Sequence, residues 1–130
     1  MKAHFLVPLL RQPDACWRLV NGRTGQAVAT RLLTAFDSAS RREGLLKQAE
    51  WPQGSALIIA PCQAVHTVGM RFTIDVVFVD RAGEVVKVRE RVRPLRATGA
   101  LRAFATIELP AGSLDGALRP GDTLALVASE

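Results

Sequence analysis

Residues 60–80, APCQAVHTVGMRFTIDVVFVD, concentrate the side chains of this chain that can do chemistry. Cys62 and His66 stand here, each one of only two residues of its type, and Asp75 sits inside the apolar run IDVVFV. A carboxylate in such a run is costly to leave charged and unpaired. Asp75 therefore needs a partner, and Arg71, His66 and backbone amides are the nearest candidates. Two readings follow. One is a structural ion pair or turn-fixing hydrogen bond; the other is a carboxyl tuned by burial for acid–base work or ligand binding.

His66 lies between Val65 and Thr67, and in an extended chain it shares a face with Ala64 and Val68. It reads either as a structural histidine or as a ligand or base. Cys62 and His66 are four positions apart, about 13 Å along a strand, so both cannot reach one ion. His4 is the only other histidine, which rules out a multi-histidine centre within one chain. No metal and no other cofactor is expected. Glu108 offers a second carboxyl. If its strand neighbours the central one, Asp75 and Glu108 form a pair of the kind glycosidases use; otherwise Glu108 faces solvent or a cation. No nucleophile elbow occurs, and no histidine is visibly placed to activate Cys62.

These residues must be positioned by short strands. Residues 17–20 and 26–33 flank Asn21-Gly22 and read as a hairpin. Residues 38–48 read as one short helix, capped by Asp37 or by a box from Ser40 to Glu43, with Leu45 and Leu46 turned inward. Residues 56–60, ALIIA, make a buried strand, and Pro61 ends its ladder or marks an edge. Residues 62–68 follow in extended form, and Gly69 lets the chain bend.

Ile74, Val76 and Phe78 point one way and Val77 and Val79 the other, so the strand at 74–79 is covered on both sides. Asp80-Arg81-Ala82-Gly83 turns the chain into a strand at 84–93. On that strand Lys87, Arg89, Arg91 and Arg93 share a face. Residues 95–102 read as a basic loop or helical turn. A strand at 103–109, a type II turn at Arg119-Pro120-Gly121-Asp122 and a last strand at 123–127 complete the chain.

At 130 residues this is a single domain, 1–130, and its 48% apolar and 22% charged content is that of a soluble globular protein. The pattern indicates a mostly β fold, a compact antiparallel barrel or sandwich with one short helix near 38–48. FLVPLL near the N-terminus is shorter than a secretory h-region and is broken by Pro8, and no run is long enough to span a bilayer. A cytoplasmic location is expected, with Cys16 and Cys62 as buried free thiols; in an exported protein they become a possible bridge.

The segment PCQAVHTVGMRFTIDVVFVDRAGEVV closely resembles the central motif of the domain of unknown function 192 family. NGRTGQAVA resembles that family's opening hairpin, REGLL its short helical piece, and AFATIELPAGSLDG with LRPGD its closing strands. The resemblance runs over about 17–126. It implies a compact, mostly β fold with a small helix and carries no reaction, substrate or catalytic residues. Relatives often carry leader sequences, which keeps export open.

The function expected from these residues is that of a binding module for a small polar or acidic ligand. Its site comprises His66, Thr67, Met70, Arg71, Asp75 and Glu108, with Arg71 on an acidic group and Met70 as an adaptable wall. A second reading uses the arginine stripe, in a chain of net charge +5, to hold nucleic acid or an acidic partner. Few aromatic residues accompany that stripe, which argues against a single-strand platform. A third reading is a hydrolase working through Asp75 with His66 or Glu108. Oligomeric state is left open.

Overall fold

The computed structural model describes residues 3–45 and 48–129. Its centre is β6 (Ile74–Val79), buried at every position. β9 (Ala105–Pro110), equally buried, pairs with it antiparallel, Val76 opposite Glu108 and Asp75 opposite Leu109. β7 (Val85–Val92) flanks the other side of β6 through the Asp80–Gly83 turn, where Gly83 takes φ 87° and its N–H donates to the Asp80 carbonyl. A side chain at Gly83 would meet the Leu124 carbonyl, so only glycine fits there. β4 (Ser55–Ile59) pairs with β9, and β3 (Arg31–Ala35) with β4. The resulting five-stranded sheet has the order β3-β4-β9-β6-β7.

Alternation along these strands separates two cores. Ile58, Val77, Val79 and Ile107 pack on one face, against Leu19 of β1 (Trp17–Asn21) and Leu124 of β10 (Leu124–Ala128). β1 also pairs with β2 (Ala27–Ala29), giving a three-stranded sheet in the order β10-β1-β2. Leu6 and Leu9, around α1 (Val7–Arg11), close the same core. Leu57, Ile59, Val76 and Phe78 pack on the opposite face with Leu45, Met70 and Val92. That face is covered by the segment after α2 (Ser38–Glu43) and by a two-stranded ribbon of β5 (Ala64–His66) and β8 (Ala97–Gly99). Burial of these apolar side chains, each worth about 1.5–3 kcal/mol, is the main stabilising term.

The architecture is mostly β and layered, with no closed barrel among the described residues. The hairpin at Asn21-Gly22 and the type II turn, where Gly121 takes φ 94°, form as expected. Several local expectations need correction. β3 and β4 run parallel, because α2 returns the chain between them. Residues 26–33 are split into β2 and β3, which belong to different sheets. β4 is an interior strand, so Pro61 marks its end and not an edge. The basic stretch after Pro94 contains β8, whose pairing partner β5 is remote in sequence.

A second helix, α1, forms in the apolar N-terminal run, where the sequence pattern indicates no element. Pro8 lies in its first turn, where a missing N–H is harmless. α2 is shorter than expected. Asp37 caps it by accepting from the Ser40 N–H at 2.7 Å, and Gly44 ends it at φ 49°. Leu45 is buried; the inward placement expected of Leu46 lies outside the described residues. Both cysteines are free thiols, Cys62 half-buried and Cys16 exposed, contrary to the burial expected of Cys16.

Candidate functional site

β6 and β9 carry the two carboxyls singled out by the sequence, and their register separates them. Asp75 stands opposite Leu109, whereas Glu108 stands opposite Val76. Directly paired residues share a face and successive residues alternate, so the two carboxyls point to opposite sides of one sheet. The Asp75–Glu108 acid–base pair of the hydrolase reading is therefore excluded by register.

Asp75 is fully buried and satisfied by the backbone. Its Oδ1 accepts from the Arg91 N–H at 2.9 Å and its Oδ2 from the Leu114 N–H at 3.1 Å. Neither Arg71 nor His66 hydrogen-bonds to it. The register between Ile74↔Val92 and Val76↔Arg89 leaves Glu90 and Arg91 opposite Asp75, a β-bulge, and Arg91 takes φ 55°. Asp75 thus ties this bulge to the turn at Leu114.

The bulge also breaks the arginine stripe. Lys87 pairs with Phe78 and Arg89 with Val76, so both lie on the Met70 face, while Arg91 is displaced by the bulge. Lys87 Nζ donates to the Gly99 carbonyl at 2.8 Å, joining β7 to the ribbon. The four basic residues expected on one face do not share it.

Thr67 is likewise built into the structure. It is fully buried, its hydroxyl donates to the Arg93 carbonyl at 2.6 Å, and it accepts from the Arg96 N–H at 2.9 Å. This clamps the chain between β7 and β8 to the end of β5. Arg71 is exposed and stands outside the cleft described next.

Glu108 differs from both. It is 3% exposed, and its Oε1 has no hydrogen-bond partner among the described residues. Burial alone pushes its carboxyl up to about 7 from an ordinary 4.5. Its backbone is held firmly, the carbonyl accepting from the Trp51 indole at 3.1 Å. The side chain opens into a cavity of about 380 Å³ between the end of α2 and β5. Leu45, Ile59, Val65 and Met70 supply its apolar walls; Cys62, His66, Arg41 and Glu43 supply the polar ones. At Gly44 a Cβ would stand 3.4 Å from Glu108 Oε1, so the end of α2 lies directly beside the carboxyl.

Some of these polar groups are already engaged. The Cys62 thiol donates to the Ala64 carbonyl at 3.2 Å. Arg41 donates to the Phe36 carbonyl at 2.8 Å. Three of the six expected site residues, His66, Met70 and Glu108, line one cavity; Thr67, Arg71 and Asp75 do not. Arg41 and Gly44 were missed, since only the fold brings α2 over β9. No group of three or more histidine, cysteine or acidic side chains among the described residues is arranged to hold a metal.

A wider, more open groove of about 710 Å³ lies beside the turns at 61–63 and 80–82, with the Arg81 guanidinium 4.5 Å from the centre of the Phe104 ring. It presents no unpartnered buried group. No helix among the described residues is long and apolar enough to cross a membrane.

Fold and site together describe a small layered β domain with a cleft lined by a buried carboxyl. The family model of DUF192, described as Uncharacterized ACR, matches residues 19–126, and the chain belongs to that family. Its fold is similar to that of a candidate transcription regulator from Sinorhizobium meliloti 1021, at 17% identity and a TM-score of 0.73, over 88% of this chain and 92% of that one. It is also similar to a protein of unknown function from Novosphingobium aromaticivorans DSM 12444, at 19% identity and a TM-score of 0.72, over 84% of this chain and 82% of that one. Among curated proteins none matches.

Proposed function

We propose that this protein is a binding module whose small-ligand site is the cleft around Glu108. The observation that supports this is the buried Glu108 Oε1, left without a hydrogen-bond partner at the wall of a cavity. Such a group costs about 1–3 kcal/mol, more when charged, and a ligand that supplies the missing partner recovers that cost on binding. His66 and Met70 line the same cavity, and Arg41, in place of Arg71, is the arginine beside it.

The arginine-surface reading has less support, because the bulge at Arg91 disperses the stripe. The likeness to a candidate transcription regulator rests on fold at 17% identity and adds no nucleic-acid contact to it.

A thermal-shift panel of sugars, nucleotides, organic acids and amines tests the reading. A ligand at about 100 times its Kd adds about 2.7 kcal/mol and raises Tm by several degrees. The expected result is at least one compound whose shift disappears in Glu108→Gln. A panel with no binder, or binders indifferent to that substitution, overturns it.

A further inference from the structure

The cleft restricts its ligand more narrowly than to polar molecules in general. Its most buried polar side chain is one carboxyl, and Leu45, Ile59, Val65 and Met70 line the same cavity. A sugar brings several hydroxyls, most of which would face apolar carbon without partners. An anion would meet the Glu108 carboxylate in a desolvated place, where like charges repel strongly. The Cys62 thiol is occupied by the Ala64 carbonyl, and Arg41 is anchored at Phe36. What fits is a ligand with a single donor head and a short aliphatic body.

We infer that the cleft binds a primary aliphatic amine, its ammonium head hydrogen-bonded to Glu108 Oε1 and its alkyl body packed on Leu45, Ile59 and Met70. The ammonium supplies both the missing hydrogen bond and the missing countercharge, and a charge-assisted bond is about twice as strong as a neutral one. Met70 suits an unbranched chain because its own side chain is flexible and polarisable. Arg41 and Glu43 on the α2 side, and Cys62 and His66 on the β5 side, are the other titratable groups facing the cavity. Arg41 and Glu43 oppose one another in sign, so the α2 side adds little net charge against a cation. The inference rests on the cleft being a ligand site.

Binding must also move a proton. Glu108 shares its proton about equally with water near pH 7, and an ammonium partner selects the ionised form. An alkyl ammonium itself stays charged through this range, with a pKa near that of lysine, about 10.4. Going from pH 6 to pH 8 raises the ionised fraction of Glu108 about tenfold, so affinity for the amine rises about tenfold.

Isothermal titration of the full chain with butylamine, in two buffers of different ionisation enthalpy, measures both effects. 1-Butanol and erythritol serve as neutral controls, run beside the thermal-shift panel. Expected are butylamine binding that strengthens about tenfold from pH 6 to pH 8, release of about half a proton at pH 7, and loss of both in Glu108→Gln. The pH and buffer arms use the unaltered protein and do not depend on how the variant folds. Butanol binding as tightly as butylamine, or butylamine binding without proton release, overturns the inference. Erythritol or another panel compound binding through Glu108 while butylamine fails overturns the amine and leaves the cleft reading standing. No Glu108-dependent binder of any class overturns both.

Discussion

Asp75 and Glu108 sit on neighbouring strands of one sheet, both almost completely buried, and they do different things. Asp75 faces the core closed by β1, β10 and α1, and each of its oxygens meets a backbone N–H. Glu108 faces the core covered by α2 and the β5–β8 ribbon, and one of its oxygens meets a cavity. Burial is common to both, so burial does not mark a site. The distinction lies in hydrogen-bond accounting: a carboxylate whose acceptors are filled is part of the architecture, and one left open is available to something else.

That contrast is broken or sharpened most strongly at Asp75. Asp75→Ala strands the N–H groups of Arg91 and Leu114 and removes two hydrogen bonds to a buried carboxyl. At about 1.5–3 kcal/mol each, the variant should lose about 3–6 kcal/mol in urea unfolding. A loss under 1 kcal/mol would show that water replaces the carboxylate there, and Asp75 would no longer stand as the architectural member of the pair.

Next comes the pH dependence at Glu108. Its folded carboxyl holds a proton up to about 7, while the unfolded one releases it near 4.5. Between those values the folded state binds more protons, so stability falls as pH rises through this window and the loss is complete above it. The shift corresponds to about 3 kcal/mol, an order-of-magnitude figure. Glu108→Gln should therefore gain on the wild type between pH 4.5 and pH 8, measured as the difference in urea midpoints. A constant difference across that range would mean the carboxyl titrates normally.

Thr67→Val probes the ribbon that roofs the Glu108 side. Losing the Arg93 and Arg96 contacts should cost about 1–3 kcal/mol. Amide exchange should quicken at 64–66 and 97–99 before the five-stranded sheet opens. Equal acceleration in β6 would mean that the ribbon and sheet open as one unit.

The smallest effect is expected at Asp122, which is held by Arg23 Nε at 2.6 Å, by Asn21 and by the Arg119 N–H. The hydrogen bond from Arg23 is the main reason its carboxyl lies well below the usual carboxylate range. Its contribution is present above the ordinary value of 3.8 and is lost as pH falls through the lower folded value. Arg23 is 40% exposed, so solvent screens the pair. Asp122→Asn should flatten the acid limb of the stability curve while leaving the neutral midpoint only slightly lower; an unchanged acid limb would remove Asp122 from the account.

Much of the scaffold was legible in local patterns. IDVVFV carries apolar residues on both faces, which only a doubly covered strand accommodates, and it proved the buried centre of the sheet. The turns at Gly83 and Gly121 followed from the need for positive φ. Less of the site was legible. His66, Met70 and Glu108 line one cavity, whereas Thr67, Arg71 and Asp75, candidates on the same grounds, do not. A polar residue in an apolar run signals that it has a partner, without saying whether that partner is backbone, side chain or ligand.

By itself the sequence determined which segments must be strands, where they turn and which side chains would be awkward to bury, because periodicity and turn chemistry act over a few residues. The family resemblance, also carried by local motifs, belongs to that same level. Tertiary structure alone decided that Asp75 and Glu108 face opposite cores, that β3 joins β4 in parallel, and that a bulge scatters the arginines. Register and strand order depend on contacts between residues far apart in the chain, and a one-residue shift reverses every face. For Glu108 that register is what separates a carboxyl at the wall of a cleft from another sealed structural acid.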